Sequence, residues 1–447
     1  VQTQRDHVHA HQFMVGRLSS ALIEGDATRA EIPGRRALTG LWSGLLVAVL
    51  VLAGFAVYGW IVPGGSRAFA QRGVILVEKE TGVRYVYLSG LLHPTPNLTS
   101  ALLIQGTGAT VKPISRASLK GVPRGVELGI AGAPQSVQTD RLSAGPWLVC
   151  LPGAVADNPG EALGINLDPR APAVPLAADR FTVVRGPAGE DHVLATGRRF
   201  RVDSPAVLVA LGVDTARPIA APRRWLDLLP EGPPLAPADI PRAGSGGPSV
   251  AGRSYPVGTL FRRGDEQFFV LRADGLAPMS PTEFLFASAV AAGQPVDLDL
   301  SALVSAPRSA DRSLTERLPE LAALRWQPAG ELVPCLRQGP RSARELSGAV
   351  AFTPRELSGV DGAGKASVLA APGTAMVVVP VPHEGAGAPV ISYVSDAGVA
   401  YTVADGGSAA ALKLDGVAPV PFPKSLLATL PAGAVLSRGA ALAPQRG

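Results

Sequence analysis

The sequence predicts an α+β protein: a single N-terminal transmembrane helix followed by a duplicated, pseudo-twofold region of short ββα units. Three observations lead there. Leu41 to Val62 is an apolar run without one ionisable side chain. The 447 residues include 51 Gly and 42 Pro but only 5% aromatics, which points to many short elements joined by turns. Several sequence marks, both cysteines among them, recur at a common shift along the chain.

Residues 1 to about 25 come first and read as an amphipathic helix, with Val8, Val15, Leu18 and Leu22 near one face and Gly25 as its stop. His7 and His11 share a face at i, i+4 with His9 beside them. Asp6 is the only carboxylate nearby, so solvated histidines are expected and no metal.

The apolar run has the roughly 20 residues that a helix needs to cross a hydrocarbon core. Trp42, Tyr58 and Trp60 stand near its ends, where amphipathic rings favour the headgroup level. Ala68-Phe69-Ala70 has the small-x-small pattern of a signal cleavage site. The run exceeds a signal core of about 7–15 residues, however, and too long a segment precedes it, so an uncleaved anchor is expected. Arg29, Arg35 and Arg36 lie close before it, whereas Arg67 and Arg72 lie further beyond; the balance of basic residues orients the N-terminus to the cytoplasm. Cys150 and Cys335, the only cysteines, both follow the run, and an isolated even pair suits an oxidising compartment.

A hydrophobic content of 47% is enough for a sizeable core. The formal charge of +5 comes from scattered arginines with no basic run interleaved with aromatics, so nucleic acid is not an expected partner.

Beyond the anchor, Val74 to Val77 and Val83 to Leu88 read as a hairpin across Glu80-Thr81-Gly82. Ser89-Gly90-Leu91-Leu92-His93-Pro94 reads as a turn, and Asn97 caps a helix to Ile104. A second copy of this ββα unit has Phe268 to Leu271, Asp274-Gly275-Leu276-Ala277-Pro278 and a helix from Phe284 to Val290. A third is expected at Ala411 to Leu414, Asp415-Gly416-Val417-Ala418-Pro419 and Lys424 to Leu430. A weaker fourth has His192-Val193-Leu194, Thr196-Gly197 and a helix after Ser204-Pro205. The spacing is not constant, which excludes a simple solenoid.

Gly90 and Gly275 lie 185 positions apart, as do Leu91 and Leu276, Pro96 and Pro281, and Cys150 and Cys335. One translation thus carries one half onto the other, with the Pro/Gly-rich stretch from Pro230 to about Pro256 as the joint. If the halves pack about a pseudo-twofold axis, equivalent residues meet only on that axis, and a Cys150–Cys335 bridge would sit there. The expected organisation is 1–36 cytoplasmic segment, 37–66 anchor, 67–230 first half, 231–256 joint and 257–447 second half.

Little in the chain points to catalysis. Gly359 to Lys365 has the glycine and lysine spacing of a phosphate loop, but Ala366 stands where a hydroxyl would bind Mg²⁺, and Ser367 to Val379 reads as strand and turn, not helix. No Gly-x-Ser-x-Gly elbow is present; His93 and His192 fall inside the repeated units, and His383 is the third histidine after the anchor. Asn97-Leu98-Thr99 is a formal glycosylation sequon that is simpler as a helix cap. No catalytic residue and no cofactor is expected.

Arg5-Asp6, Phe13, Arg17 and Ser20-Ala21-Leu22 before a single span, then Val77-Glu78-Lys79-Glu80-Thr81-Gly82-Val83-Arg84-Tyr85-Val86-Tyr87-Leu88 and the Cys150/Cys335 pair, resemble the EccB membrane component of type VII (ESX) secretion systems of actinobacteria. The resemblance runs over nearly the whole chain. It implies a central, disulfide-linked β domain in the periplasm, flanked by four repeats similar to cell-wall-binding modules. It also implies an inner-membrane protein in a complex with an FtsK/SpoIIIE-type ATPase, a polytopic channel subunit and an EccE-type subunit, with a mycosin protease nearby and copies of itself. The role it implies is a structural subunit of the export complex. A membrane-anchored nucleotide hydrolase, or a cell-wall-binding or cell-wall-modifying protein, is the alternative, since members of the family are sometimes labelled ATPases.

Overall fold

The computed structural model describes residues 4–25, 28, 35–61, 71–152, 163–213, 219–360, 365–382 and 389–445. The chain divides into two compact bodies, one of Val1–Gln71, Leu76–Gly82 and Lys112–Pro123, the other of Arg72–Ile75, Val83–Val111 and Arg124–Gly447.

Helix α1 spans Gln4–Glu24 and α2 spans Arg35–Ile61. Val8, Val15, Leu18 and Leu22 of α1 are exposed, and Arg17 lies over the Phe13 ring at 5.9 Å. In α2, Ala37–Tyr58 has a mean hydropathy of 2.3 and is not buried at all. A helix apolar on every side and not buried by any of the described residues is suited to lipid.

The next elements are β1 (Val74–Glu78), β2 (Arg84–Leu88), β3 (Leu91–Thr95), α3 (Leu98–Gln105) and β4 (Thr110–Ile114), forming a sheet of order β3-β2-β1-β4. The expectation of a bare turn at Leu91 to Pro94 is corrected: these residues are a third strand, in register with β2 from Arg84↔Thr95 to Leu88↔Leu91. Pro94 is admitted because it lies on an edge strand, where its carbonyl accepts from the Leu128 amide and no N–H is required. The unit is therefore βββαβ.

Three strands follow, β5 (Trp147–Cys150), β6 (Gly164–Asn166) and β7 (Val174–Pro175). The second βββαβ sheet has β8 (Arg180–Arg185), β9 (Asp191–Ala195), β10 (Arg198–Arg201), α4 (Pro205–Ala210) and β11 (Ile219–Ala220), with α5 (Arg223–Leu226) behind it. The stretch expected as a plain joint is ordered: β12 (Gly246–Val250) and β13 (Arg253–Pro256) form a hairpin, and Leu235 is fully buried.

The third sheet has β14 (Leu260–Arg263), β15 (Gln267–Arg272), β16 (Gly275–Met279), α6 (Pro281–Val290) and β17 (Val296–Asp297), followed by α7 (Leu300–Ser305) and β18 (Arg325–Trp326), which pairs with β8. The long strands β19 (Val333–Pro340) and β20 (Leu346–Thr353) and the short β21 (Val368–Leu369) come next. The fourth sheet has β22 (Met376–Val381), β23 (Ser392–Val394), β24 (Ala400–Thr402), α8 (Gly406–Ala411) and β25 (Val420–Pro423), with α9 (Lys424–Leu427) and α10 (Arg438–Ala441) at the end. Here the sequence expectation is displaced: Ala411 to Leu414 is not a strand but the end and exit of α8, which starts where Asp405 caps the Ser408 amide. The Asp-Gly-x-Ala-Pro pattern at 415–419 is a turn region leading into β25.

The four sheets share strand order. In the second to fourth, the last strand joins the first in parallel. A parallel bridge then joins the third strand to a segment 32 residues later: Leu92↔Arg124, Arg199↔Glu231, Leu276↔Arg308 and Ala400↔Ala432. Leu92 and Leu276 are thus the equivalent positions, one residue off the Leu91–Leu276 match expected from the sequence.

Candidate assembly site

The central sheet has the order β21-β6-β5-β19-β20-β7. Its middle is the antiparallel pair β5·β19, in which Cys150 stands directly opposite Cys335, and their sulfurs are joined. Both are fully buried among Leu148 and Val333. The order reads the same from either edge once β5, β6 and β7 are exchanged for β19, β20 and β21, although β7 joins antiparallel and β21 parallel.

Around this sheet the apolar cores cross from one half of the chain to the other. Trp147 of β5 packs against Phe422 of β25 with ring centroids 4.7 Å apart. Trp225 of α5 is fully buried in the same core and donates its indole N–H to the Val149 carbonyl at 2.9 Å. Its counterpart α9 brings Leu426 to that core. A second core joins Ile75, Val86 and Leu103 to Tyr393, Tyr401 and Leu412. A third joins Phe181, Val193 and Phe200 to Phe286 and Leu321. The first unit therefore packs with the fourth, and the second with the third.

The second–third junction carries a buried ion pair. The Glu283 carboxylate, fully buried on α6, receives Arg317 Nε at 2.5 Å and Nη2 at 2.7 Å, and Nη2 also donates to the Ala236 carbonyl at 2.7 Å. Sequence reasoning missed this pair. Ser280 and Glu283 stand at capping-box spacing, and the Ser280 hydroxyl does accept from the Glu283 amide, but nothing local to that pattern pointed to Arg317.

The sequence-derived candidates are not gathered into one site. His7, His9 and His11 are exposed on α1. His93 places Nδ1 2.8 Å from the Val126 carbonyl, its ring over Gly125. His192 is buried on β9 with Nε2 3.5 Å from Glu190, and burial lowers its pKa from the ordinary value. His383 lies outside the described residues, as do Ala68-Phe69-Ala70 and most of the glycine-rich run, residues 361–364. At the flanks of that run Val360 bridges Ala366, and strand β21 follows, so the described residues offer no helix N-terminus to an anion there. Asn97 is a cap: its side chain accepts from the Ser100 amide and donates to the Ile130 carbonyl, which leaves the sequon buried.

A family model described as "Type VII secretion system ESX-1, transport TM domain B" matches residues 1–446. The chain is 31% identical over 487 residues to the ESX-3 secretion system ATPase EccB3 of Mycolicibacterium smegmatis, across 99% of this chain and 92% of that protein. It is 29% identical over 294 residues to the ESX-5 secretion system ATPase EccB5 of Mycobacterium tuberculosis, across 62% of this chain and 57% of the relative. A chain of an intact ESX-5 inner membrane complex is similar with a TM-score of 0.65 at 25% identity, across 100% of this chain and 96% of that one. A chain of the EccB3 dimer from the ESX-3 core complex has a TM-score of 0.61 at 29% identity, across 83% and 99%.

Proposed function

The chain belongs to the EccB family of type VII secretion components, and from that premise we propose that it is a scaffold: α2 anchors it in the inner membrane, and the disulfide-clasped body assembles with further copies on the periplasmic side of the export pore. The carrying observation is the pairing of an unpacked apolar helix with a body whose cores interlock across its halves. That combination supplies an anchor and a rigid surface without requiring a reaction. In this reading α1 lies in the cytoplasm, where its exposed Val15, Leu18 and Leu22 dock on a partner such as the motor ATPase. The four βββαβ sheets are copies of one unit and the halves are related by a pseudo-twofold axis at Cys150–Cys335; the i, i+32 bridges and the mirrored strand order support this.

The test is affinity purification of the full chain from its own membranes, with a thiol-reactive, membrane-impermeant label applied to cells carrying Thr28→Cys. Recovery of a complex with several copies, and protection of residue 28 until the membrane is opened, are the expected results. A lone monomer, or labelling at residue 28 in intact cells, would overturn the reading.

A further inference from the structure

Beside the edge strand β16 of the third unit lies a groove of about 400 Å³. Phe269 and Pro278, opposite each other in register, and Leu276 form its floor, with Leu303 of α7 on one side and Arg308 and Arg312 among its remaining lining. Its origin is a local departure from the pattern of the other three units. There the amide 34 residues after the third strand closes onto that strand: Leu128 onto Pro94 O, Leu235 onto Arg201 O and Leu436 onto Thr402 O. The matching bond, Arg312 N–H to Pro278 O, is not made among the described residues.

The loop is turned aside instead. The Asp274 carboxylate accepts from Ser309 Oγ at 3.0 Å and from the Ala310 amide at 3.1 Å, while Arg272 holds Asp311 at 2.9 Å. The Arg312 guanidinium donates through Nη1 alone, to the Ser309 and Asp311 carbonyls, and Arg308 forms no ion pair among the described residues. An edge carbonyl, two guanidiniums with N–H groups to spare and an apolar floor therefore line one groove.

We propose that this groove binds an extended peptide segment that combines an acidic with an apolar side chain. A backbone N–H of the peptide satisfies Pro278 O, which lies between the Leu276 and Ser280 positions that Pro307, Ser309 and Leu314 already bond. Its carboxylate meets Arg308 and Arg312, and its apolar side chain covers Phe269 and Leu276. Glu266 also lines the groove. Phosphate satisfies only the guanidiniums, and a neutral glycan leaves them unpaired. This inference uses a surface on which the scaffold reading does not depend.

The test is fluorescence anisotropy of the full chain in detergent micelles with a labelled octapeptide of alternating Asp and Leu. Alternating Lys–Leu and Asp–Ser octapeptides are the comparisons. Saturable binding of Asp–Leu alone is expected, weakened roughly tenfold or more by combined Arg308→Ala and Arg312→Ala, both exposed positions. Equal binding of Lys–Leu, equal binding of Asp–Ser with full competition by inorganic phosphate, no saturation, or indifference to the double substitution would each overturn it.

Discussion

Glu283 is fully buried, and the two bonds from Arg317 compensate the burial of its carboxylate. Arg317→Ala strands that charge and is expected to lower stability in urea by about 3 kcal/mol, whereas joint Glu283→Leu and Arg317→Met should cost clearly less, because no unpaired charge remains. A second residue-scale consequence concerns pH. Burial, the leading influence, depresses the His192 pKa in the fold, with Arg199 adding to the effect and Glu190 and Glu231 opposing it. The unfolded chain therefore binds more protons than the fold below the ordinary histidine pKa of about 6.5. The stabilisation is complete above that pH and is lost as the pH falls towards the depressed folded value. The melting temperature should drop between neutral pH and about pH 5.5, with a shallower slope in His192→Gln, measured by scanning fluorimetry.

At the scale of the element, the residue after each i, i+32 bridge packs against its partner's neighbour, and three of the four units use glycine there. A Cβ on Gly125, Gly232 or Gly433 would enter the ring of His93, Phe200 or Tyr401, respectively. The third unit has Ala277 opposite Ser309 and no ring to avoid. Gly232→Ala should therefore destabilise by about 1–3 kcal/mol in chemical denaturation, with part recovered by Phe200→Leu. Such pairs explain what was and was not legible in the sequence. The hairpin and helix of the first unit could be read because Glu80-Thr81-Gly82 marks the turn between β1 and β2 and Asn97 marks a cap. The fourth was displaced because its third strand, Ala400–Thr402, is three residues long and Asp415 to Pro419 repeats the sequence pattern of Asp274 to Pro278, where β16 begins. The central sheet was visible only through its cysteines. Trp225 sits on a four-residue helix with no periodicity to announce that it anchors a core.

For the whole molecule, the decisive feature is that units pair across the halves, first with fourth and second with third, over a shared central sheet. The Cys150–Cys335 bridge closes a loop of sequence separation 185, and on a chain-entropy model such a link stabilises by about 5 kcal/mol. It is nevertheless one contribution beside cores that include Trp147, Phe422, Tyr393 and Phe286. Two self-contained lobes held by a bridge would part once the connecting chain was cut and the sulfurs reduced. Interlocked halves would not, because parting exposes three apolar cores at about 25 cal/mol for each Å². Residues 241–246 join the halves and are exposed, so a protease site inserted after Gly244 tests the difference. After cleavage and reduction, the two fragments should co-elute in size-exclusion chromatography and separate only when urea is added. Separate elution under reducing conditions alone would mean that the cores across the halves do not hold the body together.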